Sequence, residues 1–467
     1  MASGKHFPPL FPFNVFTSLP SSISLSHKNP VAPPLRLIMS RREHYQMNDR
    51  MYGSKAGPKN DFPAFTEGDV LITITSSRSY KLHSDHLRRS SGLFDNVLDK
   101  THATTLSEEA QKQGHTIRYH LVLAENTDNG AVPEGLYESP IHLLKAAELD
   151  SSGKPVTDVT QLELATESQV VMAWDQVLGA FYNRPLDIGD DNKDNIDFIL
   201  ELAMEVLKIA EYLQCIKLIS PLITHTLLAL SQTLHRSIAT NPAPWLDFAY
   251  RLQSRKLFRE ALIHGAGCYN TPQVQSAIHS NSLAPSVVTL LEHKASLLRD
   301  LSRRLQTQLI TWYPEQLQRA KTVGRADRDF IGRASYGNDI LTWMALSVFR
   351  HWLSQMICND KTHHAADMGY SFFLLISRGE DSYLDRSVVQ SFHDYFPMSQ
   401  KGEAVLEGRL AEIKGFAREL VGDALGNASQ LEIVGGGWEV GHMCCVVVGE
   451  GDYPWENVEV VSGEGTA

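Results

Sequence analysis

The chain has 467 residues, enough for two or three domains, with 43% apolar residues, 21% charged residues and a formal net charge of −11. That balance is the one of a folded globular protein, and its negative sign disfavours nucleic acid as a partner, because phosphate backbones are met by positive surfaces. No apolar run approaches the roughly 18–20 residues that cross a bilayer, so no membrane partner is expected, and five scattered cysteines (215, 268, 358, 444 and 445) suit a reducing compartment better than a disulfide framework.

Residues 1–60 are expected to form a disordered tail. Residues 1–42 contain no Asp or Glu, are rich in Ser, Pro and Phe, and end in Arg36, Arg41 and Arg42, which is the composition of a mitochondrial transit peptide. Seven prolines between positions 8 and 34 oppose the amphipathic helix such a peptide forms. A cytoplasmic or nuclear location is therefore expected, with mitochondrial targeting as the alternative.

Regular structure is predicted from Gly68 onward. Val70, Ile72 and Ile74 alternate with Leu71, Thr73 and Thr75, the pattern of a strand. Ser76, Ser77 and Arg78 make a turn, and Tyr80 and Leu82 open the return strand. Ser84 to Leu98 reads as one helix offering Leu87, Phe94, Val97 and Leu98 to a core, followed by a third strand from Ile117 to Leu123. Residues 124–158 are acidic and punctuated by Asn, Asp, Gly and Pro, an exposed insertion with a short helix at Ile141–Leu149. Thr160, Leu162 and Leu164 fit another strand. Gln169 to Tyr182 is helical and stopped by Asn183 and Pro185.

Helix dominates from Ile196 to Arg236, with an interruption at Ser220–Pro221, where proline would sit at a helix start. Trp245 to His264 is predicted as a single helix. Ser286 to Trp312 is long and amphipathic; Leu291, Leu298, Leu305 and Trp312 fall seven apart, as in a packed bundle helix or, alternatively, a coiled coil. Further helices are predicted over Asp339–Cys358 and Glu403–Ala424. Leu431–Val434 and Cys444–Val448 flank Gly435-Gly436-Gly437 and read as a terminal β-hairpin. No internal repeat is present.

Asp69-Val70, Tyr80, His83, Leu87, Ser91 and Phe94 stand at ungapped spacings that resemble the first third of the BTB/POZ family. Phe181-Tyr182-Asn183-Arg184-Pro185-Leu186 and Ala210-Glu211-Tyr212-Leu213-Gln214 resemble its later helices, so the likeness covers about residues 68–235 less the insertion, and is closest to the fungal BTB-domain proteins. It departs from animal members in the insertion and in lacking a clear dimerising helix before Gly68. The resemblance implies an α+β fold: a BTB/POZ-like small sheet with helices over 61–236, a mostly α-helical region over 237–425, and the hairpin and a flexible tail over 426–467. It further implies a non-catalytic protein–protein interaction module, an adaptor or scaffold that binds other proteins or forms a homo-oligomer. Asp69, Tyr80, His83, Leu87, Ser91, Phe94 and Tyr182 are then structural positions, with His83 capping a helix or bonding a strand carbonyl. Family members that bridge a cullin scaffold carry an apolar-x-Glu motif, and Leu106-Ser107-Glu108 lies in that vicinity. A substrate adaptor of a cullin-based ubiquitin ligase, with Leu106 and Glu108 exposed on one patch, is the alternative that the resemblance implies.

An enzyme of unknown type is the reading of another class, and the residues disfavour it. There is no phosphate loop, no Gly-x-Ser-x-Gly elbow, no His-Glu-x-x-His and no dinucleotide fingerprint at Gly265-x-Gly267. No catalytic residue and no cofactor is expected. Asp190, Asn192, Asp194 and Glu201 match positions of a calcium loop, but Asn195 stands where the turn needs Gly. His351, Cys358, His363 and His364 lack paired ligand spacing, and His442, Cys444 and Cys445 fare worse, because adjacent cysteines on a strand face opposite ways. No metal is expected. Arg251, Arg255, Lys256 and Arg259 read as a solvated basic helix face.

Overall fold

The computed structural model of the chain describes residues 62, 65–126, 139–156, 168–188, 196–318, 333–433 and 439–456. The fold is α+β, mostly helical with one four-stranded sheet. Strand β1 (Val70–Thr75) is built almost wholly of β-branched residues and lies between two partners. It pairs antiparallel with β2 (Arg78–Leu82), Val70 opposite Leu82, and parallel with β3 (Tyr119–Glu125), Val70 opposite Tyr119. Ile72 and Ile74 on one face of β1 and Thr73 and Thr75 on the other are all buried, so both faces are covered. His120 on β3 satisfies the Thr73 hydroxyl at 3.1 Å.

Strand β4 (His142–Ala146) completes the order β2-β1-β3-β4, antiparallel to β3. It replaces the helix expected over Ile141–Leu149: Leu143 and Leu144 pair with Ala124 and Leu123, and the chain then turns on Asp150, whose carboxylate accepts the Ser152 and Lys154 amides. Thr160, Leu162 and Leu164 lie outside the described residues.

Ser84 to Leu98 forms two helices rather than one, α1 (Ser84–Arg88) and α2 (Gly92–Val97). Ser91 sets the break. Its Oγ accepts the Phe94 amide at 3.1 Å, starting α2, and donates to the Leu213 carbonyl at 2.5 Å. Ser107 caps the short α3 (Glu108–Lys112) in the same way. Helices α4 (Gln169–Ala180) and α5 (Ile196–Tyr212) then pack together, burying Trp174, Val177, Leu202 and Val206.

Helices α6 (Ile216–Leu228), α7 (Gln232–Thr240), α8 (Pro242–Arg251), α9 (Arg255–Gly267), α10 (Pro272–His279) and α11 (Pro285–Thr311) follow. The joints after α5, α6 and α8 fall at Gln214, Ser231 and Gln253, each in the left-handed region (φ 55°, 50° and 56°). The helix expected over Trp245–His264 is therefore a pair, and the break expected at Ser220–Pro221 occurs at Leu213–Cys215, with Pro221 inside α6. Leu291, Leu298 and Leu305 are buried, so α11 is a packed helix.

The chain divides into two compact units. The larger comprises Gly57–Arg304, Thr362–Ser371 and Asp423–Ala467, as far as these are described, and holds the sheet. At its C-terminal end the expected hairpin is absent among the described residues: Cys444 makes a single parallel bridge to Asn427, and Val434 lies outside them. The basic face expected on α8 and α9 is largely tied down within this unit. Arg251 is buried against Glu211, Arg255 pairs with Glu456, and Arg259 donates to the Ala428 carbonyl.

The smaller unit comprises Leu305–Lys361 and Phe372–Gly422 among the described residues. Its helices are α12 (Arg333–Cys358), α13 (Tyr370–Arg378, from Phe372 on), α14 (Arg386–Tyr395) and α15 (Gln400–Leu420). Packing of α12 on α15 buries Leu346, Phe349 and Leu353 with Leu406, Leu410 and Ile413. Trp352 stacks on Tyr383 at 4.4 Å between ring centres. Among the described residues, no helix is long and apolar enough to cross a membrane.

Candidate protein-interaction face

Residues three and four apart share a helix face, and on α12 this places Ile340, Trp343, Ser347 and Arg350 in one row. Ile340 and Trp343 are 42% and 47% exposed, an unusual position for a large apolar side chain and a tryptophan. Tyr313, just beyond α11, meets Trp343 edge-to-face with ring centres 5.7 Å apart. The Arg350 guanidinium lies 4.3 Å from the centre of the Tyr313 ring, and its Nη2 donates to the Trp312 carbonyl at 3.0 Å. Trp312 in turn stacks on Phe416 of α15, 3.9 Å centre to centre and nearly parallel. The chain thus pins its backbone at Trp312 and leaves Tyr313, Trp343 and Ile340 facing water beside a fixed cation. Tryptophan, tyrosine and arginine held in one geometry are the side chains that dominate binding hot spots, since little entropy is lost when a partner covers them.

The same unit holds a groove of about 550 Å³ lined by Asp381, Leu384, Arg386, Glu407, Lys414 and Arg418, among others. Lys414 Nζ donates to the Glu380 and Leu384 carbonyls, both at 2.8 Å, and sits 5.1 Å from the Tyr383 ring centre. Burial holds its pKa below the usual lysine range, with Asp381 and Asp385 pulling the other way. Lys414 therefore clamps one wall of the groove, and the groove's charges are mixed rather than of one sign.

The residues singled out by the sequence lie elsewhere. Asp69 accepts the Ser84 amide at 2.7 Å and its hydroxyl at 2.6 Å, capping α1. His83 does not cap with its side chain; its amide donates to the Tyr182 hydroxyl at 2.8 Å and its ring lies 3.2 Å from the same oxygen. Tyr80, Leu87 and Phe94 are buried, and Ser91 caps α2. Leu106 is buried and Glu108 exposed, so the two do not share an exposed patch. Asp190, Asn192 and Asp194 lie outside the described residues. His351 and Cys358 are exposed and join no ligand cluster with His363 or His364 among the described residues. His442 and Cys444 do gather, with His264 of α9. Tyr313 and Trp343 carried no sequence signal: a tryptophan within an apolar helix pattern reads as core.

The positions that resemble the BTB/POZ family serve local roles, namely caps at Asp69 and Ser91 and core residues at Tyr80, Leu87 and Phe94. No curated protein and no solved structure matches the chain. The expected BTB/POZ membership, and with it the cullin-adaptor function, is overturned by a family model that matches in the other half of the chain. That model is the FF domain in its fungal form, and it covers residues 314–423, which take in most of the described residues of the smaller unit together with Thr362–Ser371 of the larger.

Proposed function

We propose that the chain is a non-catalytic binding protein whose smaller unit docks other proteins through the Tyr313–Trp343–Arg350 face. FF domains are protein-interaction modules rather than enzymes, and the matched residues include Trp343 and Arg350, with Tyr313 one position ahead. The observation that carries the reading is the half-exposed Trp343 held against Tyr313 under a fixed guanidinium. Such a cluster contributes little to packing while it faces water and much to binding once a partner covers it.

The test is affinity purification of the full-length chain from its own cells, beside Trp343→Ala and Tyr313→Ala. Val156→Ala serves as a control, altering a residue 56% exposed in the larger unit. Truncating a hot-spot aromatic costs about 2 kcal/mol or more, roughly a thirtyfold loss of affinity. Partners recovered with wild type and Val156→Ala should therefore be depleted with the two aromatic variants. An unchanged partner set, with both variants folded, rules this face out.

A further inference from the structure

Helix α9 carries Glu260 and His264, and Cys268 follows at the same interval of four as its C-cap, a polar stripe on a helix buried at every position from Glu260 to Gly267. Residues of the C-terminal segment 439–456 lie against that stripe. His442 and Cys444 come from alternate positions of the segment. His264 is completely buried, Cys444 is 3% exposed and His442 6%. His264 Nδ1 stands 2.9 Å from His442 Nε2 and 3.6 Å from Cys444 Sγ, and all three donor atoms lie within 4.8 Å of one another. Gly267 makes the approach possible, because a Cβ there would collide with the Met443 carbonyl oxygen and the His442 ring. On its other side, His442 Nδ1 faces Cys268 Sγ at 3.2 Å.

The three facing atoms bond one another and, for Cys444, the His442 carbonyl. Around them, His264 Nε2 and Glu260 Oε1 are buried without a hydrogen-bond partner, and His235 Nδ1 has only the Glu260 carboxylate at 3.7 Å. The alternative reading, two imidazoles that merely share a hydrogen bond, explains neither the thiol beside them nor the glycine that lets them meet.

We propose that His264 Nδ1, His442 Nε2 and Cys444 Sγ together bind one zinc-class transition-metal ion that staples the C-terminal segment to α9. Two imidazole nitrogens and a thiolate suit zinc and exclude calcium and magnesium, which take oxygen ligands. With Zn–N near 2.0–2.1 Å and Zn–S near 2.3 Å, a tetrahedral site has an N···S edge of about 3.6 Å and an N···N edge of about 3.3 Å. The observed 3.6 Å from His264 Nδ1 to Cys444 Sγ meets the first, and the other N···S edge, from His442 Nε2, lies within 4.8 Å. The second needs the two rings to part by about 0.4 Å, within the reach of small side-chain tilts. On binding, Cys444 gives its thiol proton to solvent, and the metal–nitrogen bonds replace the His264–His442 hydrogen bond; the ring that carried the proton of that bond releases it and takes one on its other nitrogen, so His264 holds Nε2–H, His442 holds Nδ1–H, and both ligate as neutral imidazoles. Cys268 is a positioning residue that holds the ring of His442 from its far nitrogen.

The staple would reinforce a docking that other contacts of the larger unit already support. Trp455 meets Phe258 edge-to-face at 5.0 Å, and Lys294 reaches both Asp452 and the Val447 carbonyl.

The experiment uses the full-length chain purified without added metal. Elemental analysis by plasma mass spectrometry should find about one zinc-class ion per chain in wild type and in Cys445→Ser, and close to none in His442→Ala and Cys444→Ser. Cobalt(II) titrated into chelator-treated wild type should give the visible spectrum of a tetrahedral site with thiolate charge transfer, missing from Cys444→Ser. Wild type that carries no stoichiometric metal and gives no such spectrum overturns the proposal, as does metal retained equally by both ligand variants. If a ligand variant fails to fold, the content and cobalt spectrum of wild type still decide.

Discussion

Arg251 of α8 donates to Glu211 of α5 through Nε at 2.9 Å and Nη2 at 2.7 Å, and the two side chains are only 3% and 4% exposed. Arg251→Met leaves the Glu211 carboxylate buried without its cation, and breaking such a pair from one side costs about 3–5 kcal/mol, more than a hundredfold in the local folding equilibrium. Glu211→Gln is milder. Arg251 keeps Asp247 at 3.6 Å, so the cost should fall at or below about 3 kcal/mol. The double variant removes both charges at once and should lose less than the sum of the singles, by at least about 2 kcal/mol. With two units in one chain, a single unfolding free energy is poorly defined, so the assay is native-state hydrogen exchange of peptides from α5 and α8. Single-variant losses under about 1 kcal/mol that simply add in the double variant would refute the reasoning, because the pair would then behave as an exposed salt bridge.

Ser91→Ala deletes a cap and orphans the Leu213 carbonyl; a loss of about 1–2 kcal/mol is expected in denaturant unfolding followed by signals of the larger unit, and an unchanged midpoint contradicts the capping role. Gly267→Ala should loosen residues 439–456 against α9, read as faster hydrogen exchange or proteolysis there; unchanged protection means the backbone approach is not as close as described. Burial holds the His120 imidazole below its ordinary 6.5, so the folded state binds that proton more weakly than the unfolded chain. Its contribution is complete above about pH 6.5 and is lost as the pH falls from there, and His120→Asn should flatten that part of the decline in thermal midpoint. A decline as steep in the variant as in wild type assigns the pH dependence to other groups.

The central sheet was legible because β1 is a run of β-branched residues, and the chain reads as one strand whatever surrounds it. Strand β4 was not, because His142-Leu143-Leu144-Lys145-Ala146 has no β-branched residue and becomes a strand through pairing with β3. The helix joints at Gln214 and Gln253 were hidden for a related reason. A left-handed turn is normally announced by glycine or asparagine, and glutamine adopts it here at the demand of the packing on either side. The motif positions from Asp69 to Phe94 supply caps at Asp69 and Ser91 and buried side chains at Tyr80, Leu87 and Phe94, while the family model that matches lies at residues 314–423. The candidate sites were least visible. Exposure of Trp343 depends on which face of α12 meets α15, and His264 and His442 are 178 positions apart in the chain. A pattern scan confined to short spacings sees only the unhelpful neighbours Cys444 and Cys445.

The larger unit is written discontinuously along the chain, with its last part, from Asp423, separated from Gly57–Arg304 by the described residues of the smaller unit and the short stretch Thr362–Ser371. A ribosome therefore delivers Phe258 and Lys294 long before Trp455 and Asp452, the residues that cover and neutralise them. At about 5–20 residues per second, the interval between Arg304 and the C-terminal segment is on the order of ten to thirty seconds. Throughout that time Phe258 of α9 lacks its aromatic cover and Lys294 of α11 its carboxylate, while the described residues of the smaller unit, complete by Gly422, are free to fold first. The nascent chain thus leaves Phe258, fully buried in the mature protein, open to chaperones and to aggregation until Trp455 has emerged.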